Sequence, residues 1–218
     1  MPRPIRQITG EIRVFEERPP DPNNYILDGV RRRMLVDTCS TLNGDPYAGN
    51  PAFARLDAIV LTHPHFDHAA GIDYLPDVPV YAHEDAARAI DAGDERIQLS
   101  RMFGVELPER KVDRRLDDGE MLGLGGIDFQ VVSTPGHCTG AICLYDGESK
   151  ALVSGDTVFT GGDVPRFDFP SSNLGELIDS YEKLLQLEIN LILPGHGPVS
   201  SNGSAIIRKS LKSLQASL

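Results

Sequence analysis

Short apolar runs alternate with amphipathic stretches along the chain. The run DAIVLT at residues 57–62 predicts a buried strand, because it is short and apolar. Comparable runs predict strands at residues 11–16, 25–27, 33–36, 78–82, 127–133, 141–145, 151–154 and 189–193. Helical spacing of apolar positions predicts helices at residues 83–92, 94–103, 174–187 and 204–218. This order of strands and helices predicts a layered α/β domain.

The clearest helix signal lies at residues 174–187. Its apolar positions follow helical spacing, and Asn173 with Glu176 has the form of a capping box at its start. The apolar stripe at residues 204–218 predicts a C-terminal helix that packs on the domain. Residues 94–110 stand between two of the motifs described below. We predict for them either a lid that carries Met102, Phe103 and Val105, or simple packing against the domain.

Composition narrows the class of protein. The 218 residues suit a single domain over residues 1–218. A net charge of −11 argues against broad binding of nucleic acid or anionic membranes, and no apolar run approaches the roughly 20 residues of a membrane span. The N-terminus lacks the apolar core of a secretory signal, and the three cysteines include no C-x-x-C pair, so we expect a cytoplasmic protein that acts on a small molecule.

The main chemical signal is the run THPHFDH at residues 62–68, which has the form H-x-H-x-D-H. His63 and His65 are two positions apart, so an extended loop points both side chains the same way. Asp67 and His68 follow at once, so that one turn after a strand presents four ligands. Imidazole and carboxylate groups suit zinc, iron or manganese.

Three further motifs each place one ligand-type residue in a glycine-containing loop after a predicted strand. They are STPGH with His137, SGDT with Asp156, and PGHGP with His196. Each is weak alone, because a lone polar residue after a strand is more often a turn or cap residue. Together with the first motif they use five of the six histidines, which favours a shared metal site.

In this order the runs HPHFDH, TPGH, SGDT and PGHGP resemble the metallo-β-lactamase superfamily over about residues 24–198. The resemblance implies a four-layer αββα sandwich with the metals at one edge of two packed sheets. It implies two divalent ions, with zinc expected and iron or manganese as alternatives. The implied ligands are His63, His65 and His137 for one ion, Asp67, His68 and His196 for the other, and Asp156 as a bridge.

Such a pair of ions would hold a shared hydroxide that attacks a carbonyl, and Asp67 would also orient it. The stretch GDTVF at residues 155–159, followed by Gly161 and Gly162, resembles glyoxalase II-like thioesterases, which implies hydrolysis of a small ester, thioester or lactone. Asp37, in the early motif LVDT, is expected to hold a histidine from outside the ligand set.

Other branches remain open. Persulfide dioxygenases share the histidine motif but use one iron, which makes an oxidoreductase the alternative, and a non-catalytic metal-binding module is a third class. Acyl-homoserine lactonases carry a tyrosine where this chain has Phe159, which counts against that activity. Arg166 is expected either to contact an anionic substrate or to pair with Asp168. His83 is expected to cap a helix, and Cys138 to be buried.

Overall fold

Two β-sheets pack face to face in the computed structural model, which describes residues 5–16, 19–108 and 110–217. Within these residues the first sheet has seven strands: β1 Ile5–Gln7, β2 Ile12–Phe15, β3 Asn24–Asp28, β4 Arg33–Val36, β5 Ala58–Val60, β6 Val80–His83 and β7 Arg114–Leu116. The second has five: β8 Met121–Gly123, β9 Asp128–Ser133, β10 Ile142–Asp146, β11 Ala151–Gly155 and β12 Leu191–Pro194. The helices are α1 Phe66–Ala69, α2 Glu84–Ala92, α3 Ser100–Phe103, α4 Leu174–Leu184 and α5 Gly203–Gln215.

The strands of the first sheet lie in chain order. β1 to β4 pair antiparallel, and β4 to β7 pair parallel. The second sheet has the order β12-β11-β10-β9-β8, in which β11 and β12 are parallel and the other pairs antiparallel. None of the helices in the described part of the chain has the length and apolar character that a membrane span requires.

Alternating side chains build the layers, because successive residues of a strand point to opposite faces. In β4, Met34 and Val36 join the core between the sheets, whereas Leu35 faces outward. In β10, Leu144 lies in that inner core and Cys143 lies on the outer side. Helix α2 packs on the outer face of the first sheet, and α4 and α5 cover the outer face of the second. The predicted four-layer αββα sandwich is therefore confirmed.

Most predicted elements are present with shifted ends. The capping interaction of α4 is confirmed, since Oδ1 of Asn173 accepts a hydrogen bond from the Glu176 amide at 3.2 Å. The helix nevertheless ends at Leu184 rather than at residue 187. The predicted C-terminal helix is present as α5. Residue 218 of that prediction and residue 109 of the predicted lid lie outside the described residues.

The prediction of a helix over residues 94–103 is wrong for its first six residues. Oδ1 of Asp94 accepts hydrogen bonds from the amides of Arg96 and Ile97, both at 3.0 Å, and so holds a turn. Leu99 then has a left-handed backbone with φ of 60°, which a helix cannot contain, and only α3 is helical. Short polar side chains compete with a helix in this way.

Candidate metal centre

The side chains of all seven predicted ligands meet at one edge of the sandwich. Each follows the C-terminal end of a strand: β5 for the H-x-H-x-D-H motif, and β9, β11 and β12 for the other three motifs. Open α/β sheets place their sites at such edges. Among the described residues, His63, His137 and Asp156 have ligand atoms within 4.8 Å of one another, and so do Asp67, His68 and His196. Because Asp156 approaches both sets, the histidines of the first set are called the first cluster, and Asp67, His68 and His196 are called the second.

The first cluster also includes His65. Nδ1 of His65 lies 3.1 Å from Nε2 of His137. Nδ1 of His137 donates a hydrogen bond to the backbone carbonyl of Arg166 at 2.8 Å. Because a carbonyl oxygen only accepts, this bond places the ring proton on Nδ1 and leaves a lone pair on Nε2, which faces His65.

In the second cluster, Nε2 of His196 lies 3.2 Å from Oδ2 of Asp67 and 3.3 Å from Nε2 of His68. Nδ1 of His68 lies 2.8 Å from Oδ2 of Asp37, to which it donates. This bond holds one ring proton of His68 on the side away from His196, and once the ring is neutral its Nε2 has a lone pair for a metal ion.

Asp156 lies between the two clusters. Its Oδ1 is 3.4 Å from Nε2 of His68, and its Oδ2 is 3.8 Å from Nε2 of His137 and 3.7 Å from Nε2 of His196. One carboxylate therefore reaches nitrogens of both groups, which is the position that a bridging ligand needs.

Donor type, spacing and unsatisfied atoms all fit divalent metal ions. Nε2 of His63, Nε2 of His65 and Oδ1 of Asp156 are buried without a hydrogen-bond partner among the described residues. Such atoms are costly unless something else satisfies them. Two ligands about 2.1 Å from one ion, at a tetrahedral angle, are about 3.4 Å apart. The separations of 3.1–3.8 Å given above lie around this value.

Burial keeps most of the first cluster uncharged. It lowers the pKa of the His63 and His65 imidazoles well below the ordinary value of histidine, and it lowers the pKa of His137 as well. Neutral imidazole is the form that binds a metal, so these rings are ready to act as ligands without losing a proton.

Carboxylates dominate the electrostatics of the second cluster. Burial disfavours a charged His68, but the carboxylates of Asp156 and Asp37 outweigh it and raise the pKa of His68 well above its ordinary value. Burial alone would raise the pKa of Asp156, yet the neighbouring His68 and His196 imidazoles hold it well below its usual range. The Asp156 carboxylate thus stays ionised, as a metal ligand must be.

Asp37 supports ligands of both clusters, His63 through Thr62 and His68 directly. Its Oδ1 accepts from the Thr62 amide at 2.7 Å, and its Oδ2 accepts from Oγ1 of Thr62 at 2.8 Å. The same Oγ1 lies 3.0 Å from Nδ1 of His63, while Asp37 also accepts from His68. The expectation that Asp37 holds a histidine is confirmed, and its left-handed backbone, with φ of 60°, is one that aspartate tolerates.

We expect Asp37→Asn to weaken metal binding by about 10- to 100-fold, because asparagine keeps the size and the backbone preference but offers one acceptor oxygen in place of two. The measurement is competition for the metal with a chelator of known affinity. Asp45→Asn, a change outside this network, serves as the control. Unchanged metal affinity in Asp37→Asn would show that these hydrogen bonds do not position the ligands.

A cleft of about 240 Å³ opens beside the ligands. It is lined by Pro20, His65, Phe66, Asp67, Leu99, Phe103, His137, Asp156, Phe159, Arg166 and Phe169. The segment predicted as a lid contributes Leu99 and Phe103 to this lining. Arg166 pairs with Asp168 through two bonds of 2.8 Å, which is one of the two roles expected of it.

Two further residues have clear placements. His83 caps α2 as expected, since its Nδ1 accepts from the Asp85 amide at 3.2 Å. Cys138 is buried as expected, but its Sγ also lies within 4.8 Å of ring nitrogens of His63 and His65. Its position directly after His137 was the sequence signal for this proximity. The hydrogen bond from His137 to the Arg166 carbonyl could not be predicted from residue types, because its acceptor is a backbone atom.

Comparison with known proteins identifies the family. The model of the metallo-beta-lactamase superfamily matches residues 18–196, so the chain belongs to that superfamily. A probable metallo-hydrolase of Bacillus subtilis, YqgX, is 35% identical over 147 residues, which cover 65% of this chain and 68% of the relative. The acyl-coenzyme A thioesterase MBLAC2 of Gallus gallus is 32% identical over 200 residues, covering 80% of this chain and 72% of the relative.

Solved structures agree with the sequence relatives. The B3 metallo-beta-lactamase BLEG-1 superposes with a TM-score of 0.74 at 28% identity, covering 89% of this chain and 96% of that chain. TTHA1623, solved in a di-iron-bound form, superposes with a TM-score of 0.70 at 30% identity, covering 86% and 93%. The relatives named as metallo-hydrolases and thioesterases support a hydrolase.

Proposed function

We propose that the chain is a metal-dependent hydrolase that uses two divalent ions to cleave a small ester, thioester or lactone. The observation that carries this proposal is the convergence of a complete ligand set. His63, His65 and His137 would hold one ion, Asp67, His68 and His196 would hold the other, and Asp156 would contact both.

Zinc is the metal that we propose for the site, because neutral imidazole and carboxylate ligands with this spacing suit it. Iron and manganese accept the same ligands, and one similar structure is di-iron-bound. Among the three substrate types, a thioester has the most support. Similar proteins are named acyl-coenzyme A thioesterase and, at 32% identity over 151 residues, hydroxyacylglutathione hydrolase.

When bound, the ions would supply a deprotonated water at neutral pH and would polarise the substrate carbonyl. Residues of the chain would orient the water and hold the substrate. Asp67 lines the cleft, and its carboxylate would accept a hydrogen bond from the attacking water and so orient it. The aromatic side chains of the cleft would exclude bulk water and hold the acyl group beside Asp67.

The second cluster favours this function over a one-iron dioxygenase. Such an enzyme needs only the first cluster, whereas here Asp67, His68 and His196 also converge, with Asp37 orienting His68. The dioxygenases share the H-x-H-x-D-H motif, and therefore Asp67 and His68, so the number of metal ions bound per chain distinguishes the two functions.

A panel of esters, thioesters and lactones tests the proposal. We expect the purified protein to hydrolyse at least one of them, to lose the activity with a chelator, and to regain it on addition of zinc. Oxygen uptake with a persulfide substrate after iron loading, together with no hydrolysis of any panel member, would point to the dioxygenase instead.

A further inference from the structure

Apart from the candidate ligands, most of the residues that line the cleft are apolar. Phe66, Leu99, Phe103, Phe159 and Phe169 all line it. Besides the ligands, the one charged residue among its described lining residues is Arg166, whose guanidinium forms two bonds with Asp168 and lies 4.3 Å from the centre of the Phe169 ring. The cleft therefore offers little to a polar or charged substituent next to the reacting carbonyl.

Phe66, Leu99, Phe103, Phe159 and Phe169 form an apolar wall of the cleft. Within this apolar wall, the exposure of Phe103 is unusual. Its side chain is 49% exposed, although large apolar side chains are usually covered. Its ring packs on that of Phe66, with centroids 4.7 Å apart, and Phe66 is itself buried in a small cluster with Leu99 and Val105. The exposed aromatic face is thus held on a packed base at the cleft and is free to cover an apolar group.

We propose that this apolar wall is the subsite for the unbranched acyl chain of the substrate, and that Phe103 determines how strongly chain length is preferred. The inference rests on the proposed function. A carbonyl held beside His65, Asp67 and His137 would lie in the same cleft as Phe66 and Phe103, against which the acyl chain would pack. The cleft volume of about 240 Å³ is enough for a short or medium chain.

Binding of unbranched carboxylic acids tests the subsite apart from catalysis. Calorimetric titration of the zinc-loaded protein with acids from two to ten carbons should give an affinity that rises about fourfold per methylene until the cleft is full. In Phe103→Ala the increase in the logarithm of the affinity per methylene should fall to less than half of its value in the unmodified protein, whereas Phe103→Leu should keep most of this increase.

Met102→Ala is the matched control. Met102 neighbours Phe103 on the same short helix, is 61% exposed and does not line the cleft. We expect this variant to keep the chain-length dependence of the unmodified protein. Equal loss in Met102→Ala and Phe103→Ala would assign the effect to the helix as a whole and would overturn the role given to Phe103.

Hydrolysis of thioesters with the same acyl chains separates the two proposals. A rising affinity with matching hydrolysis supports both. A rising affinity without hydrolysis of any thioester, ester or lactone keeps the acyl subsite and rejects the proposed function. An affinity that does not change with chain length rejects the subsite, whatever the protein hydrolyses.

Discussion

Replacing Asp156 with alanine should reduce the bound metal to less than one ion per chain and lower hydrolysis by on the order of 10³-fold or more. The carboxylate reaches nitrogens of both clusters, so its loss weakens both metal positions at once. The ions are expected to supply several kcal/mol of charge stabilisation in the transition state, and each 1.36 kcal/mol corresponds to a factor of ten in rate.

The pattern of metal loss distinguishes this role from a general loss of structure. His63→Ala and His196→Ala each remove a ligand of one cluster, so each should keep more metal than Asp156→Ala. Asp128→Ala, which removes an exposed carboxylate at the start of β9, should keep all of it. Elemental analysis of the dialysed proteins gives the comparison, and two ions retained by Asp156→Ala would contradict the bridging position.

Replacing Gly195 with alanine, which adds a single methyl group, is expected to have the second-largest effect on metal affinity and activity. A Cβ built on Gly195 would lie 2.4 Å from Oδ1 of Asp156 and 2.8 Å from Cε1 of His68. The His68 ring does not give way easily, because it is buried and held by Asp37. Gly195→Ala should therefore displace ligands and lower metal affinity and activity by on the order of 10²-fold, the cost of misplacing catalytic groups by about 1 Å.

Gly10→Ala provides the control, since a Cβ there meets nothing within 4 Å. Metal content and thermal unfolding of the metal-free proteins should be measured together. We expect Gly195→Ala to unfold near the temperature of the unmodified metal-free chain while binding little metal. Full metal content in Gly195→Ala would mean that the ligands have more room than the structure shows.

The candidate ligands were predictable because their spacing in the sequence follows from the chemistry. His63 and His65 alternate on one extended loop, and Asp67 and His68 follow on the first turn of α1. The loops of His137 and Asp156 were visible because each comes directly after an apolar run that forms a strand. Their meeting point depends on the sheet order, which the resemblance to the family implied and local pattern alone did not.

The remaining features depend on long-range or backbone contacts. β7 has the sequence RRL and β8 has MLG, which are too short and too mixed to give a strand signal, and both form only by pairing with a neighbouring strand. The left-handed Leu99 follows a turn that Asp94 holds, and its place in the cleft is set by packing on Phe66. Residue type and periodicity carry little of this information.

Anomalous diffraction from zinc-loaded crystals, measured at the zinc absorption edge, tests the central claim most directly. Two peaks are predicted, one among His63, His65 and His137 and one among Asp67, His68 and His196, with Asp156 beside both. A single peak in fully loaded protein, or peaks away from these side chains, would contradict the account.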